Sequence, residues 1–318
     1  MYEKFISKII EYKYITIFRH VNPDGDCMFS SFAMYKFLKD NFPNKSIKMC
    51  GYETFDLITK NELVSDKFIT NSLAIVFDTS TSNRIDDFRA LAAKFIIKID
   101  HHPVIDNYGE INYVDPKSSS ASEVLAKILL SKAFSKYRIS KDIYRYLYYG
   151  IASDTLNFKT TNTTSNTFSI VSKLVSKGDI NPSDSYEYLN DVNLDTYKKI
   201  SQLRNYLKSK KNFGYIVLNQ KELKQIGFDS KTAKSYITEI GCIKDFNVWA
   251  FAVENTEGLW DCSIRSKRTY IINKFAMKYG GGGHPNASAV KNLKHSKLSQ
   301  LFNELFEYSN SYKIHKKA

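Results

Sequence analysis

The sequence has no long apolar run. The longest stretches, such as Ser72–Phe77 and Phe95–Ile99, fall far short of the roughly 20 residues needed to cross a bilayer. The opening stretch MYEKFISKIIEYKY carries acids and no small-residue cleavage site after an apolar core, so neither a signal peptide nor a membrane anchor is expected. Cysteine is scarce: positions 27, 50, 242 and 262 hold the only four, and no two have C-x-x-C spacing. That excludes a disulfide framework and a zinc knuckle. Reduced thiols in a cytoplasmic protein remain the natural reading. There is no internal repeat and no low-complexity block. Arginine is also rare, with eight among 46 basic residues. A net charge of +13 points to a polyanionic partner. A lysine-heavy excess beside abundant Asn, Ile and Tyr is equally what drift in an AT-rich coding sequence produces, so charge alone does not choose.

What is present is a globular composition. With 318 residues, 43% hydrophobic and 25% charged, the chain has material for about two domains and can bury real cores. The first half alternates apolar runs with helical patterns. Tyr14–Phe18, Ser46–Cys50, Leu73–Phe77 and Phe95–Ile99 read as strands. Met28–Leu38, Arg84–Ala92, Ser122–Phe134, Ile139–Ile151 and Thr164–Ser176 read as helices, with Ser120-x-x-Glu123 as a capping box. Such alternation predicts a parallel, doubly wound sheet. The character changes near Asn181–Asp195, and Asp195–Lys208 reads as a polar, Lys-rich helix. Strands are then expected at Phe213–Leu218, Asn247–Val253 and Leu259–Ile264, the last two joined as a hairpin through Glu254–Gly258. Helices are expected at Thr232–Ile240, Tyr270–Lys278 and Leu298–Tyr308, followed by a basic tail, Lys313–Lys317.

Polar clusters sit just beyond the apolar strands. His20-Val-Asn-Pro-Asp24-Gly-Asp26 follows the first, Asp78 follows LAIVF, and Asp100-His101-His102 follows Phe95–Ile99. Asp154 closes the helix that ends Gly150-Ile-Ala-Ser. Ligands of open α/β sheets bind outside the carboxyl ends of the strands, so the first three clusters should converge. That many acids together repel and raise one another's pKa values unless divalent cations neutralise them. A mixture of imidazole and carboxylate without thiolate suits Mn²⁺, Fe²⁺ or Co²⁺ better than Mg²⁺ or Zn²⁺. So many ligands suggest two ions, the arrangement suited to in-line displacement at phosphorus. Asp86, Asp87, Asp106 and Asp115 read instead as solvated turn acids, and His295 and His315 as surface histidines. In the second half, Gly280–Gly283 and His284 lie after a helix. A glycine run can aim successive amides at an anion, helped by the N-terminus of a following helix. Arg265, in Ser263-Ile-Arg265-Ser266 at a strand end, is suited to bidentate phosphate contact.

The set His20-x-x-x-Asp24-x-Asp26, Asp78, Asp100-His101-His102 and Asp154 resembles the DHH phosphoesterase superfamily. The glycine run with Ser-Ile-Arg-Ser resembles its DHHA1 C-terminal domain. The resemblance covers nearly the whole chain and looks most like the bacterial nanoRNase (oligoribonuclease)/pAp-phosphatase branch. It implies an α/β fold: a doubly wound parallel-sheet DHH domain at 1–190, a helical linker at 191–211 and a smaller α/β DHHA1 domain at 212–318. It implies two Mn²⁺, with Mg²⁺ or Co²⁺ as substitutes. His20, Asp24 and Asp78 would hold one, and Asp26, Asp78, His101 and Asp154 the other, with Asp78 bridging. Asp100 would orient an imidazole, and His102 would face the scissile phosphate or leaving oxygen. Ser263, Arg265, Gly281, Gly282, Gly283 and His284 would bind the substrate.

The implied reaction is hydrolysis of short oligoribonucleotides and of 3′-phosphoadenosine 5′-phosphate (pAp) by a metal-activated water, in the cytoplasm, with a homodimer plausible. A linear or cyclic dinucleotide phosphodiesterase or a pyrophosphatase of the same superfamily stays open, as does a nucleotide-binding sensor without turnover. Three departures stand out. Phe29 and Leu156 occupy positions where relatives often have a small residue or glycine, and the glycine motif ends Ala287-Ser288-Ala289 rather than Ala-Ala-Gly.

Overall fold

The structure is a computed structural model and describes residues 2–51, 64–267 and 269–311. The expected basic tail Lys313–Lys317 and His315 lie outside the described residues. The chain divides into two compact units, Met1–Asp191 and Val192–Ala318.

The first unit runs α1 (Glu3–Glu11), β1 (Tyr14–Phe18), α2 (Gly25–Asn41), β2 (Ser46–Met49), α3 (Asp66–Thr70), β3 (Leu73–Phe77), β4 (Phe95–Asp100), β5 (Ile111–Val114), α4 (Ala121–Leu129), α5 (Lys141–Asp154), α6 (Ser165–Gly178) and α7 (Pro182–Asn190). Its five strands are all parallel, in the order β2-β1-β3-β4-β5. Every residue of β3 is buried, as a strand covered on both faces requires. The alternation of side chains divides them between two apolar layers. Leu73, Ile75 and Phe77 join Ile15, Ile97 and Ile99 against α1, α2, α4 and α5. Ala74 and Val76 join Phe18, Ile69, Ile85 and Ala90 on the other face. Strand order reverses between β1 and β3, the switch point where this topology opens a crevice at the carboxyl ends.

The fold is α/β as expected, with local differences. Arg84–Ala92 is not an α-helix but two 3₁₀ turns, Ser82–Arg84 and Phe88–Ala92. Ile85 between them is extended and bridges to His20, while Asp87 caps the second turn by accepting from Arg89 N. Asp86 and Asp87 are therefore not solvated: both are buried, and Asp87 accepts three hydrogen bonds from the Arg89 side chain, at 2.7, 2.9 and 3.2 Å. Asp106 and Asp115 are half-buried and hold turns through Ser82 and Ser118. The helix expected over Ser122–Phe134 stops at Leu129 and resumes as a 3₁₀ turn at Lys132–Phe134. Ser120 caps Glu123 N as read, but the Glu123 carboxylate reaches back to Ser119 N rather than completing the box on Ser120.

The second unit runs α8 (Leu194–Arg204), β6 (Lys208–Lys210), β7 (Phe213–Leu218), α9 (Gln220–Ile226), α10 (Ser230–Ser235), α11 (Ile237–Ile240), β8 (Val248–Glu254), β9 (Trp260–Ser266), α12 (Asn273–Lys278), β10 (Gly282–His284), β11 (Ala287–Leu293) and α13 (His295–Ser311). Its mixed sheet has the order β10-β11-β9-β8-β7-β6, and β8 and β9 form the expected antiparallel hairpin. One face packs on α12 and α13, the other on α9 to α11. The polar helix ends at Arg204, so Lys208 opens a strand instead of closing a helix. Thr232–Ile240 is split into α10 and α11 at Tyr236. No helix among the described residues is long and apolar enough to cross a membrane.

Candidate functional site

Three parallel strands deliver the candidate ligands of the first unit. β1 leads into His20, β3 into Asp78, and β4 ends in Asp100 just before His101 and His102. His20 Nε2 lies 3.5 Å from Asp78 Oδ2 and 3.8 Å from Asp24 Oδ1. His101 Nε2 lies 3.4 Å from Asp78 Oδ1 and 3.7 Å from Asp154 Oδ2, and His102 Nδ1 is 3.4 Å from Asp78 Oδ1. Asp78 is thus common to the His20 side and the His101 side. It is buried and takes a left-handed backbone (φ 52°), with its N–H bonded to Ile99 O. Non-glycine residues held at such angles gather at functional sites, where the surrounding fold imposes them.

Helices position the remaining acids. Asp24 is the N-cap of α2 and accepts from Cys27 N at 3.1 Å. Asp26, in the first turn, is buried, and both its carboxylate oxygens accept amides from the start of α4: Ala121 N at 2.6 Å and Ser122 N at 2.9 Å. Asp154 is the last residue of α5. The approach of α5 to α4 depends on Gly150, where a Cβ would collide with Ser122 Oγ and come within 3.1 Å of Asp26 Oδ1. Phe29, one turn into α2, is buried against Phe32, Tyr146 and Tyr149 in a small cluster that includes Met28. It fills space between α2 and α5 instead of opening a pocket. Leu156 is exposed, with φ 49°, and begins a left-handed run of three with Asn157 and Phe158. A glycine there would carry no such strain.

The electrostatics follow from burial and neighbours. Burial raises the pKa of Asp26 well above the carboxylate range, and the Asp78 and Asp154 charges add to the rise. Burial lifts Asp154 to about 7, against the pull of His101. Burial would raise Asp78 as well, but the His101 and His20 imidazoles beside it hold it below the usual range. The imidazoles respond in kind. Burial lowers each, yet Asp24 and Asp78 bring His20 above its ordinary value, and Asp78 brings His101 to about 10. Asp78 Oδ1 is buried with no hydrogen-bond partner among the described residues. Four carboxylates, two or three imidazoles and an orphaned buried oxygen make a donor set that divalent cations satisfy. Two ligand groups stand out, His20 with Cys27 and Asp78, and Asp78 with His101 and His102, each with donor atoms within 4.8 Å of one another.

Two residues here have no place in the site as read from the sequence, where Cys27 is a reduced thiol and Lys98 part of a strand. Cys27 lies against the His20 side. Lys98 is fully buried in β4, with Nζ 3.2 Å from Asp100 Oδ2 and donating to Ser80 O and Asp106 O. Asp100 Oδ1 in turn accepts from His101 N, His102 N and His102 Nδ1, the last at 2.8 Å. The signal for Lys98 was a charge at an inward position of an otherwise apolar strand. A buried lysine without a partner is too costly to persist.

In the second unit the candidates gather at one corner of the sheet. Ser263 and Arg265 are half-buried, alternating with buried Cys262, Ile264 and Ser266. Register places Arg265 opposite Ala287 and Ala287 opposite His284; Ser263 faces Ala289, which faces Gly282. Arg265 Nη1 donates to Ile264 O at 3.0 Å, and burial lowers its pKa. His284 and His295 are exposed, and His295 packs on Trp260. The expectation of a helix N-terminus after the glycine run is overturned. The run turns α12 into the β10–β11 hairpin, with Gly280 N and Gly281 N bonded back to Met277 O and Ala276 O. Gly283 has φ 134°, open only to glycine without strain.

Comparison with known proteins agrees with this layout. The family model described as "DHH family, N-terminal domain" matches residues 14–151, and "DHHA1 domain" matches 210–310. A "probable bifunctional oligoribonuclease and PAP phosphatase NrnA" of Streptococcus mutans is 35% identical over 96% of this chain and 97% of its own. A "bifunctional oligoribonuclease and PAP phosphatase NrnA" of Bacillus subtilis is 29% identical over 91% of this chain and 93% of its own. The crystal structure of an exopolyphosphatase-related protein from Bacteroides fragilis superposes with a TM-score of 0.85 at 25% identity, covering 96% of this chain and 95% of that one.

Proposed function

The chain belongs to the DHH family of phosphoesterases, and from that premise we propose that it hydrolyses short oligoribonucleotides to mononucleotides and removes a phosphate from pAp. Relatives named for both activities, matched along almost their whole length, support this pair of substrates. The observation that carries the reaction type is the meeting of candidate ligands from β1, β3 and β4 on one shared carboxylate, Asp78.

In this reading two divalent cations, Mn²⁺ with Mg²⁺ or Co²⁺ as substitutes, would be held by His20, Asp24 and Asp78 and by Asp26, Asp78, His101 and Asp154. When bound, they supply a lowered water pKa and a counter-charge for phosphoryl oxygens. The protein's own task is to keep these ligands oriented and shielded. The α4 amides fix the Asp26 carboxylate. Asp100, backed by Lys98, fixes His102 through Nδ1. His102 then presents its other ring nitrogen to the scissile phosphate or leaving oxygen. Ser263, Arg265, His284 and the glycine run bind the phosphate or terminal nucleotide. We assign residues 1–190 to catalysis, 191–211 to a linker and 212–318 to substrate binding, and place the protein in the cytoplasm as a homodimer.

The test is turnover with Mn²⁺, and with EDTA as control, on an RNA dimer, pentamer and 24-mer, pAp, linear and cyclic di-AMP, and pyrophosphate. Metal-dependent release of mononucleotides from the short RNAs, with phosphate from pAp, is expected. Silence across the panel with nucleotide binding intact would replace the enzyme by a sensor. Cleavage of another panel member alone would keep the chemistry and replace the substrate.

A further inference from the structure

Cys27 has no part in the roles above, yet it lies inside the ligand cluster. It sits in the first turn of α2, one residue after Asp26, and is fully buried. Its Sγ makes a weak contact with Phe77 O at 3.6 Å, the carbonyl just before Asp78. Sγ, a His20 nitrogen and an Asp78 oxygen lie within 4.8 Å of one another. His20 Nδ1 faces Val21 O at 2.9 Å, which leaves Nε2 as the nitrogen turned to Asp24 and Asp78.

Metal–ligand bonds of about 2.0–2.3 Å place the donors of a tetrahedral site roughly 3.3–3.8 Å apart. The 3.5 and 3.8 Å separations around His20 have that scale. Asp78 offers one carboxylate oxygen to each ligand group: Oδ2 faces His20, while Oδ1, turned to His101 and His102, is buried without a hydrogen-bond partner among the described residues. The other thiols are elsewhere: Cys50 and Cys262 are buried outside either ligand group, and Cys242 is exposed.

We propose that Cys27 is a sulfur donor to the cation held by His20, Asp24 and Asp78, and that it biases this site toward thiophilic divalent ions. The proposal rests on the metal-centre reading above. Binding forms one S–metal bond and breaks the S–H bond, with the proton passing to water; no electron is transferred. A mixed nitrogen, oxygen and sulfur set favours Co²⁺ and Zn²⁺ over Mn²⁺ more than the imidazole and carboxylate set alone does. The second site, around His101 and Asp154, has no sulfur and keeps the preference of hard donors.

The experiment is the absorption spectrum of the full chain titrated with Co²⁺. Visible ligand-field bands report cobalt in the centre. A near-ultraviolet sulfur-to-cobalt charge-transfer band reports the thiolate. Both are expected in the wild type and in Cys242→Ser, and only the ligand-field bands in Cys27→Ser. Zn²⁺ affinity should fall by about 10- to 100-fold in Cys27→Ser, the scale of a lost metal-tuning group, with a smaller change for Mn²⁺. Ligand-field bands without the charge-transfer band in the wild type would overturn the Cys27 assignment and leave the metal centre standing. Absence of both would overturn the two together. Should Cys27→Ser fail to fold, X-ray absorption of the Zn²⁺-loaded wild type decides: a sulfur neighbour at about 2.3 Å supports the proposal, and nitrogen and oxygen neighbours alone refute it.

Discussion

The two units hold their chemistry in opposite ways. In the first, His20, Asp26, Asp78, Asp100 and His101 are buried at the ends of parallel strands and helices, each braced by another charge or by an amide. In the second, Ser263 and Arg265 are half-buried and His284 is exposed, on one corner of a sheet whose remaining faces are apolar. A buried charge must be paid for by the fold around it, so its neighbours are dictated. A surface charge is tolerated almost anywhere. The first unit should therefore answer mutation with loss of chemistry and stability together, and the second with loss of affinity alone.

The strongest way to break this contrast is Asp78→Asn. Asparagine accepts the left-handed backbone that Asp78 adopts, so the variant should fold. It removes the charge shared by both ligand groups. Turnover should fall by about 10³-fold or more, the scale of losing the main electrostatic stabiliser of a reaction. Full activity in a folded Asp78→Asn protein would remove the centre from Asp78.

Chelation should separate the units next. Cations bound at 100 times their dissociation constant stabilise by about 2.7 kcal/mol, and EDTA withdraws that. Hydrogen exchange, read by mass spectrometry on the full chain, should speed up in β1, α2, β3 and α5, with little change in β8 and β9. Equal loss in both sheets would erase the distinction. For the second unit, Arg265→Ala should raise KM by about 10- to 100-fold, as expected for one lost charge-assisted contact, and change kcat far less. A fall in kcat at constant KM would move Arg265 into the chemistry.

Glu123 tests whether the bracing extends beyond the ligands. It is buried at the start of α4, paired with Lys127 at 2.7 Å, and it accepts from Ser119 N and Thr167 Oγ1 at 2.9 Å each. Burial alone would raise its pKa, but Lys127 and these donors hold it below the usual value. A depressed pKa in the folded state contributes stability above the unfolded-state value of about 4.3, and that contribution is lost as pH falls through the folded value. Glu123→Gln should cost about 1–3 kcal/mol at neutral pH in urea unfolding, and the deficit should shrink below about pH 4. A deficit independent of pH would assign its role to shape rather than charge.

The same contrast explains what could be read from the sequence. The gathering of the candidate ligands in the first unit was legible because parallel strands deliver their next residues to one edge, and His20, Asp78 and His101 sit within two residues of those strand ends. Cys27 escaped because a single cysteine has no spacing to mark it; only the fold of α2 against β3 brings it to His20. Arg84–Ala92 has helical periodicity, but the local Asp87 cap and the His20–Ile85 bridge break it, and the bridge is a tertiary contact. Asp86 and Asp87 looked like turn acids because the buried layer beside them is not visible in a local window. In the second unit the glycine run was seen, but not that Gly280 and Gly281 bond back into α12 and lead to a hairpin.

Backbone strain sharpens the comparison last and most finely. In the first unit, among the described residues, positive φ falls on one glycine, Gly51, and on Asn22, Asp78, Leu156, Asn157, Phe158 and Asp179, and several of these adjoin candidate ligands. In the second, among the described residues, it falls mostly on glycine: Gly227, Gly258, Gly280 and Gly283, with Lys211 and Asn292. Leu156 is the least suited of the first set, because a branched apolar side chain gains no local hydrogen bond from the left-handed region. Leu156→Gly should relieve about 1–2 kcal/mol of that strain. Greater freedom of the unfolded chain returns about 0.4–1 kcal/mol. The exposed side chain loses little burial. A net gain of several tenths of a kcal/mol up to about 1 kcal/mol is therefore expected in urea unfolding. The sign is the informative part. Destabilisation would mean that the Leu156 side chain holds the turn after Asp154 in place, and that strain in this unit is supported by packing at the surface as well as in the interior.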